Sequence, residues 1–284
     1  MKILLADSGS TKTEWKVIDG SEPSTSVFSG GINPYFLNTE QISELLKREV
    51  ILPGDPKFDG IFFYGTGCNS ESKNTVVRKA IGDFADAKFI FIGTDLLGAA
   101  RSLCQDQQGI ACIIGTGSNS CYYDGREIKA NVSPLGYILG DEGGGAVLGR
   151  KLVSAVLKKQ VPLQVRELFL GTYKLTPQEI LESVYMKPFP NRFLGQFAKF
   201  YNENIHIPEL REILSTSFDE FIVRNILQYP ESGFLPVHFT GSIAFHFRNI
   251  LEESIIKYNL KLGDVTLSPM NNLVKFHINN INFL

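Results

Sequence analysis

The sequence predicts a two-domain α/β protein that contains a duplicated strand–loop–strand unit. With 284 residues the chain is long for a single core, so two domains are expected. Residues 3–19 and 111–124 are built alike, because in each an apolar run stops at a loop of Gly, Ser and Thr and then resumes. We place the domains at 1–108 and 109–284, with the last helix as a segment that returns to the first domain.

Strand-like runs and helical periodicity alternate through the first domain, as in α/β folds. Strands are predicted at residues 2–6, 14–18, 25–29, 60–64 and 88–92. Helices are predicted at residues 40–49, 74–84 and 96–104. Short connections, such as Asp19-Gly20, favour an antiparallel meander of the first three strands.

The second domain begins with the same meander pattern and then becomes mainly helical. Asp124-Gly125 is a hairpin signal before a short strand at 126–130. Helices are expected at residues 146–158, 164–170, 177–184, 192–204 and 208–228. A buried strand at 237–239 then leads through a glycine turn into a helix at 243–258.

Composition limits the classes of partner. Lys and Arg number 28 and Asp and Glu number 30, and a net charge of -2 offers no basic surface for nucleic acid or anionic membranes. No apolar run approaches the length of a membrane span or a signal-peptide core. The four cysteines have no metal-binding spacing and are expected to be buried thiols. We therefore expect a cytoplasmic protein with a small-molecule partner; a homodimer is compatible with the sequence.

The two duplicated loops are candidates for phosphate binding. The first contains Ser8, Gly9, Ser10, Thr11, Lys12 and Thr13, and the second contains Gly115, Thr116, Gly117 and Ser118. Small residues let backbone N–H groups approach an anion, and the hydroxyls of Ser10, Thr11, Thr13, Thr116, Ser118 and Ser120 are further donors. Neither loop is a P-loop, and an ordinary hairpin turn is the alternative for each.

Several acids and one asparagine stand where elements end. Asp7 ends a strand, where its carboxylate can hold Mg²⁺ directly or through water, or simply form a turn. Asp95 precedes a helix, for which an N-cap is the plain alternative, and the same holds for Asp141-Glu142 before three glycines. Asn33 precedes a proline, which is a common turn signal.

Five segments together resemble the actin/hexokinase superfamily of ATPases, and within it the N-acetylglucosamine kinase and BadF/BadG/BcrA/BcrD ATPase family. They are residues 7–13, 93–95, 115–119, 139–143 and 241–244. The resemblance implies a two-domain actin-like (ribonuclease H-like) fold with duplicated mixed sheets. It implies phosphate binding by the two loops, adenosine-side contacts from Gly241 and Ser242, and a general base at Asp95. It assigns sugar contacts to Asn33, Thr116, Asn119, Asp141 and Gly145.

The function that this resemblance implies is an ATP- and Mg²⁺-dependent amino-sugar kinase, with the 6-hydroxyl of N-acetylglucosamine as the leading acceptor. The chain lacks the cysteine-rich zinc motif of ROK sugar kinases and a cysteine pair placed for the iron–sulfur cluster of dehydratase activators. Two alternatives remain open: an ATPase that activates another enzyme, and a sugar or nucleotide sensor without catalysis.

Overall fold

The computed structural model describes residues 1–20, 22–23, 25–52 and 57–280. These residues form two compact units. Unit 1 comprises the described residues of Met1–Gln107, Tyr123–Ile128 and Ser268–Leu284, and unit 2 comprises Gln108–Tyr122 and Lys129–Leu267. The chain thus leaves unit 1 and returns to it twice.

The strands alternate with helices in the first part of the chain and are sparser later. In chain order they are β1 (Lys2–Ser8), β2 (Lys12–Asp19), β3 (Glu22–Pro23), β4 (Val27–Gly30), β5 (Lys57–Phe58), β6 (Gly60–Gly65), β7 (Asp86–Ala87), β8 (Ile90–Thr94), β9 (Gly109–Ile114), β10 (Ser118–Tyr123), β11 (Ile128–Ala130), β12 (Pro236–Thr240) and β13 (Lys261–Thr266). The helices are α1 (Thr39–Glu49), α2 (Glu71–Gly82), α3 (Asp95–Cys104), α4 (Gly136–Leu139), α5 (Gly145–Leu157), α6 (Leu163–Tyr173), α7 (Pro177–Tyr185), α8 (Pro190–Gly195), α9 (Ala198–Asn204), α10 (Pro208–Arg224), α11 (Ser242–His246), α12 (Arg248–Lys257) and α13 (Met270–Asn279).

The two main sheets follow the same plan. In unit 1 the strand order is β3-β2-β1-β6-β8, with β4 also on β2, and in the second sheet it is β11-β10-β9-β12-β13. In each, the first strand of the duplicated unit pairs in parallel with a later strand, β1 with β6 and β9 with β12. The duplication predicted from the two loops is therefore present, and the fold is a two-domain actin-like fold with duplicated mixed sheets.

Helices cover both faces of the unit 1 sheet. Leu4, Ala6 and their neighbours of the same parity pack with residues of α1 and α2. Leu5 and residues of opposite parity pack with α13. On this second face, the hydroxyl of Tyr64 and Nε2 of His277 are 3.0 Å apart. Both faces of β1 and β6 are buried, which explains their nearly continuous apolar sequences.

Some predicted helices were wrong in extent. The helix expected at 192–204 is interrupted between α8 and α9, where Phe197 is fully buried against the rings of Phe169 and Tyr173. The helix expected at 243–258 is interrupted at Phe247, and the one expected at 208–228 ends as an α-helix at Arg224. Strand β13 has no counterpart among the predicted strands, because only Val265 of its six residues is buried and the alternating signal is weak.

Cysteine usage and membrane segments can be read directly from the structure. All four cysteines lie in the described part of the chain, where they are buried and form no disulfide. None of the described helices combines the length and the apolar composition that a bilayer crossing requires.

Candidate functional site

The first loop, residues 9–11, joins β1 to β2 and is held by buried hydroxyls at its base. The Oγ atom of Ser8 lies 2.7 Å from Oγ1 of Thr13 and accepts a hydrogen bond of 3.0 Å from the N–H of Ile32. Oγ1 of Thr13 donates to the carbonyl of Gly30 over 3.1 Å. The expectation that this hydroxyl is a phosphate donor is therefore wrong, because its only hydrogen is used inside unit 1. Gly9 and Thr11 of the loop are exposed, as is Lys12 at the start of β2, and Ser10 is half-buried.

Asp7 is the last residue but one of β1 and lies among other acids. Its partner across β2 is Glu14. The pKa of Asp7 is raised to about 7, mainly by burial and also by the charges of Asp95 and Glu14, while the charge of Lys12 lowers it. An ionised carboxylate in this position lacks sufficient positive charge around it, so a bound cation would stabilise it.

Asp7 and the acids around it fit the way in which proteins hold Mg²⁺. The described residues contain no group of three or more His, Cys, Asp or Glu side chains arranged to hold a metal ion. Mg²⁺ commonly takes only one or two carboxylates, together with water and substrate phosphates. Asp7 is suited to that kind of site, and a closed protein cage is not required.

Asp95 is the first residue of α3. The helix is capped by Thr94, whose Oγ1 accepts a 3.1 Å bond from the N–H of Leu97, so the N-cap alternative for Asp95 is wrong. The pKa of Asp95 is about 6, because burial raises it more than two hydrogen bonds lower it, one from the N–H of Leu96 at 2.9 Å and one from the side chain of Thr66. Thr66 is a site residue with no signal in the sequence, because its contact with Asp95 depends on the pairing of β6 with β8.

Strand register brings Asp7 and Asp95 to the same edge of the sheet. Ser8 of β1 pairs with Gly65 of β6, which pairs in turn with Thr94 of β8. Asp7 directly precedes Ser8 and Asp95 directly follows Thr94. Both acids therefore lie at the carboxyl ends of parallel strands. This edge is where α/β sheets commonly bind ligands.

Asn33 forms the turn that its sequence context indicated. Its Oδ1 accepts a 2.9 Å hydrogen bond from the N–H of Tyr35. The same oxygen lies near Gly67, where a Cβ atom would come within 2.5 Å of it. Asn33 is thus fixed close to the segment that follows β6.

The second loop, Gly115–Gly117, is held by its backbone. The N–H of Gly115 donates to the carbonyl of Gly117 over 2.9 Å. At the start of α5, the N–H groups of Gly145 and Ala146 donate to the carbonyls of Gly115 and Thr116, each over 2.8 Å. The loop is therefore attached to the amino end of α5. The hydroxyl of Ser120, expected to serve a ligand, is instead bonded to the hydroxyl of Tyr229 at 2.9 Å.

Asp141 lies against this loop in a left-handed backbone conformation, with φ of 52°. Its Oδ1 accepts a 3.3 Å bond from the N–H of Ser118. The pKa of Asp141 is raised to about 6, mainly by burial and also by the charge of Glu142, while the Ser118 bond lowers it. Because Gly144 is the N-cap residue of α5, the cap alternative for Asp141-Glu142 is wrong.

Glu142 serves a different purpose from its neighbour. Its side chain is only 7% exposed and pairs with Arg224 at 2.7 Å. The second carboxylate oxygen accepts a 3.3 Å bond from Nδ2 of Asn225. This pairing attaches the 141–144 turn to the end of α10 and leaves Asp141 as the acid beside the loop.

The remaining sugar-contact and nucleotide candidates also lie in unit 2. Oδ1 of Asn119 accepts 2.9 Å bonds from the N–H of Ser120 and from Nδ2 of Asn131. Gly241 adjoins the second loop, since a Cβ atom placed on it would lie 3.2 Å from the nitrogen of Gly115, and Ser242 begins α11. The structure thus groups the predicted residues by unit. Unit 1 holds Asp7, the first loop, Asn33 and Asp95, and unit 2 holds the second loop with Thr116, Asn119, Asp141, Gly145, Gly241 and Ser242.

Comparison with known proteins places this geometry in context. No protein-family model matches the chain, and a search of curated proteins finds no significant match. A solved candidate N-acetylglucosamine kinase from Porphyromonas gingivalis is 48% identical, with a TM-score of 0.94 over 98% of this chain and 99% of that one. One from Chromobacterium violaceum is 16% identical, with a TM-score of 0.72 over 97% and 98% of the two chains. A ROK-family glucokinase from Streptomyces griseus, solved with glucose and AMPPNP, is 10% identical, with a TM-score of 0.54 over 97% and 98%.

The fold and the duplicated sheets define a class, the two-domain actin-like proteins. The two more distant structures share the fold alone. The Porphyromonas relative shares nearly half of the sequence over its whole length, and the chain belongs to its family, the sugar kinases. The chain is therefore a member of the sugar kinases.

Proposed function

We propose that this protein transfers the γ-phosphoryl group of ATP to the 6-hydroxyl of N-acetylglucosamine. The observation that carries this proposal is Asp95, a half-buried acid at the same sheet edge as Asp7, with a pKa of about 6. A base with that pKa is mostly ionised at neutral pH, yet it still accepts a proton from a hydroxyl in the transition state. The name given to the 48%-identical relative supports N-acetylglucosamine as the acceptor.

The chemistry would divide among the named residues. Asp95 accepts the hydroxyl proton as the sugar oxygen attacks the γ-phosphorus and ADP leaves. In unit 1, Gly9, Ser10, Thr11 and Lys12 bind phosphate, and Ser8 and Thr13 hold the shape of that loop. Asp7 would hold Mg²⁺, whose contribution when bound is to neutralise phosphate charge.

In unit 2, the second loop binds phosphate through Gly115, Thr116, Gly117 and Ser118. Gly241 and Ser242 follow β12 beside this loop and supply the nucleotide contacts. Asn119 and Asp141 bind the sugar, and Thr116, Gly145 and, in unit 1, Asn33 complete its contacts. A hydroxyl bonded to an ionised Asp141 donates to it, which suits a polyhydroxylated acceptor.

The test is an ADP-release screen of the purified protein with Mg-ATP and single sugars. The sugars are N-acetylglucosamine, glucosamine, N-acetylmannosamine, N-acetylmuramic acid and glucose. We expect the highest kcat/KM with N-acetylglucosamine and a 6-phosphate in the product by NMR. Asp95→Asn is the control that separates sugar-dependent transfer from a contaminating kinase. ADP release without a phosphorylated sugar would support the ATPase alternative, and binding without turnover would support a sensor.

A further inference from the structure

Asn131 follows β11 directly and has an amide nitrogen surrounded by oxygen atoms. Its Nδ2 donates to Oδ1 of Asn119 over 2.9 Å and to the carbonyl of Ser120 over 2.7 Å. The carbonyl of Val132 lies 3.1 Å from the same nitrogen. Only the NH₂ end of an amide is favourable in such surroundings, because an oxygen placed there would face three acceptors. The orientation of the Asn131 amide is therefore determined by its partners.

This orientation determines that of Asn119 in turn. The oxygen Oδ1 of Asn119 receives the Asn131 donor and also the N–H of Ser120, at 2.9 Å. An amide oxygen has two lone pairs, so both are engaged. The Nδ2 end of Asn119 is therefore on the side of the amide opposite to these two donors. Were the amide reversed, Nδ2 would face two donors.

Unit 2 consequently presents one hydrogen-bond donor and one hydrogen-bond acceptor, and each is held by a different backbone N–H group. Asn119 offers an N–H donor, and Asp141, held by the N–H of Ser118, offers a carboxylate acceptor. A sugar matches this pair with one oxygen that accepts and one hydroxyl that donates. A reversed Asn119 would replace the donor with a second acceptor.

We propose that Asn131 is a positioning residue that holds the amide N–H of Asn119 toward the sugar acceptor. The proposal rests on the sugar-binding role proposed for Asn119. The sequence contains no signal for this positioning role, because Asn131 lies in the polar segment between β11 and α4, where asparagine is common.

The decisive variant is Asn131→Asp, which keeps the shape of the side chain and removes its donor. A carboxylate there repels Oδ1 of Asn119 and favours reversal of that amide. Loss of one neutral hydrogen bond to the sugar corresponds to about a 2- to 12-fold change, so we expect KM for N-acetylglucosamine to rise by that factor or more. KM for ATP should stay within experimental error of the wild-type value. Asn204→Asp is the matched control, since Nδ2 of Asn204 donates to the carbonyl of Phe200 in α9, and its sugar KM should not change.

A double-mutant cycle separates positioning from a purely structural role. In an Asn119→Ala background, Asn131→Asp should produce no further change in sugar KM, because the residue through which it acts is gone. An equal effect in both backgrounds, or a wild-type sugar KM in Asn131→Asp, would overturn the proposal. Melting temperatures identify loss of folding, and Asn131→Ala, which removes the donor without adding repulsion, should give a smaller rise in KM if the aspartate variant is unstable.

The same measurements distinguish failure of the sugar assignment itself. If Asn119→Ala alone keeps a wild-type sugar KM, Asn119 does not bind the sugar, and both assignments are wrong. If Asn119→Ala raises sugar KM while Asn131→Asp and Asn131→Ala do not, only the positioning role of Asn131 is wrong.

Discussion

The two glycine-containing loops occupy equivalent places in the duplicated sheets but are held by different means. The unit 1 loop is fixed from below by the buried hydroxyls of Ser8 and Thr13. The unit 2 loop is fixed by backbone bonds to the start of α5. The acids beside them differ as well: Asp95 receives several hydrogen bonds, whereas Asp141 receives one and has the charged Glu142 as neighbour. Duplication of a fold therefore conserves the position of a loop without conserving the role of its side chains.

The largest predicted effect is a difference in kinetics between variants of Asp95 and variants of Asp141. Asp95→Asn keeps an oxygen for the N–H of Leu96 but removes the base, so kcat should fall by about 10²- to 10⁴-fold. Asp141→Asn should instead raise KM for the sugar, by about 10-fold or more if a charged hydrogen bond is lost. Steady-state kinetics with each substrate varied in turn measures both. Equal losses of kcat in the two variants would contradict the division of roles.

The pH dependence sharpens the same contrast. The proposed base must be ionised to act, and its pKa is about 6 in the folded protein. The kcat of the wild type should therefore fall as the pH drops through about 6. In Asp95→Asn the residual rate should lose this dependence. A residual rate with an unchanged acid limb would assign the titration to another group.

The next predicted effect is a loss of stability on replacement of two closely packed glycines, Gly144 and Gly31. A Cβ atom on Gly144 would lie 2.8 Å from the carbonyl carbon of Gly117, and one on Gly31 would lie 2.4 Å from the carbonyl oxygen of Gly9. Gly144→Ala and Gly31→Ala should each destabilise the protein by about 1–3 kcal/mol and impair ATP use, because backbone must move in the second and first loop respectively. Denaturant unfolding and ATP kinetics measure these changes.

Gly115→Ala is the matched control for this pair. A Cβ atom there meets nothing within 4 Å, so the free energy of unfolding should change little. A rise in KM for ATP without loss of stability would indicate that the nucleotide occupies this space. Normal stability in Gly144→Ala would contradict the packing described for the second loop.

A smaller effect concerns the acids of unit 1 alone. The folded-state pKa of Asp7, about 7, is above its ordinary value of 3.8, so the folded state binds the proton more tightly. The corresponding stability is present below about pH 4 and is lost as the pH rises through 7. Without Mg²⁺, Asp7→Asn should melt above the wild type at pH 8, and the difference should vanish near pH 4. Added Mg²⁺ should narrow the gap at pH 8. A variant that melts below the wild type at pH 8 would contradict the account of this acidic group.

The last prediction is a difference in stability between variants of the two loops. Ser8→Ala leaves the buried N–H of Ile32 without its acceptor and should cost about 1–3 kcal/mol of unfolding free energy. Ser118→Ala should cost less, because backbone bonds hold the second loop. Thermal and denaturant unfolding of the two variants measures the difference, and equal losses would show that both loops rely on their hydroxyls.

The sequence could predict features that depend on local order. The duplicated loops, the longer strands of unit 1 (β1, β2, β4, β6 and β8) and the acid that follows β8 can be predicted from apolar periodicity and turn chemistry. Features that depend on distant segments could not be predicted, such as the bond from Thr66 to Asp95 or the pairing of Glu142 with Arg224. The role expected of the Thr13 hydroxyl was wrong for the same reason, since its acceptor, Gly30, is supplied by β4.

Helix α13 has a consequence for how the chain matures during translation. It covers one face of the unit 1 sheet and brings His277 to Tyr64, which are separated by 213 positions. During translation, β1 and β6 leave the ribosome long before α13. The apolar face that contains Leu5 and Phe62 therefore stays exposed to solvent while the residues of unit 2 are synthesised. In that interval the nascent chain exposes an aggregation-prone hydrophobic surface, of the kind that chaperones bind. Unit 2 precedes Ser268 entirely, and its own core can form before unit 1 is complete.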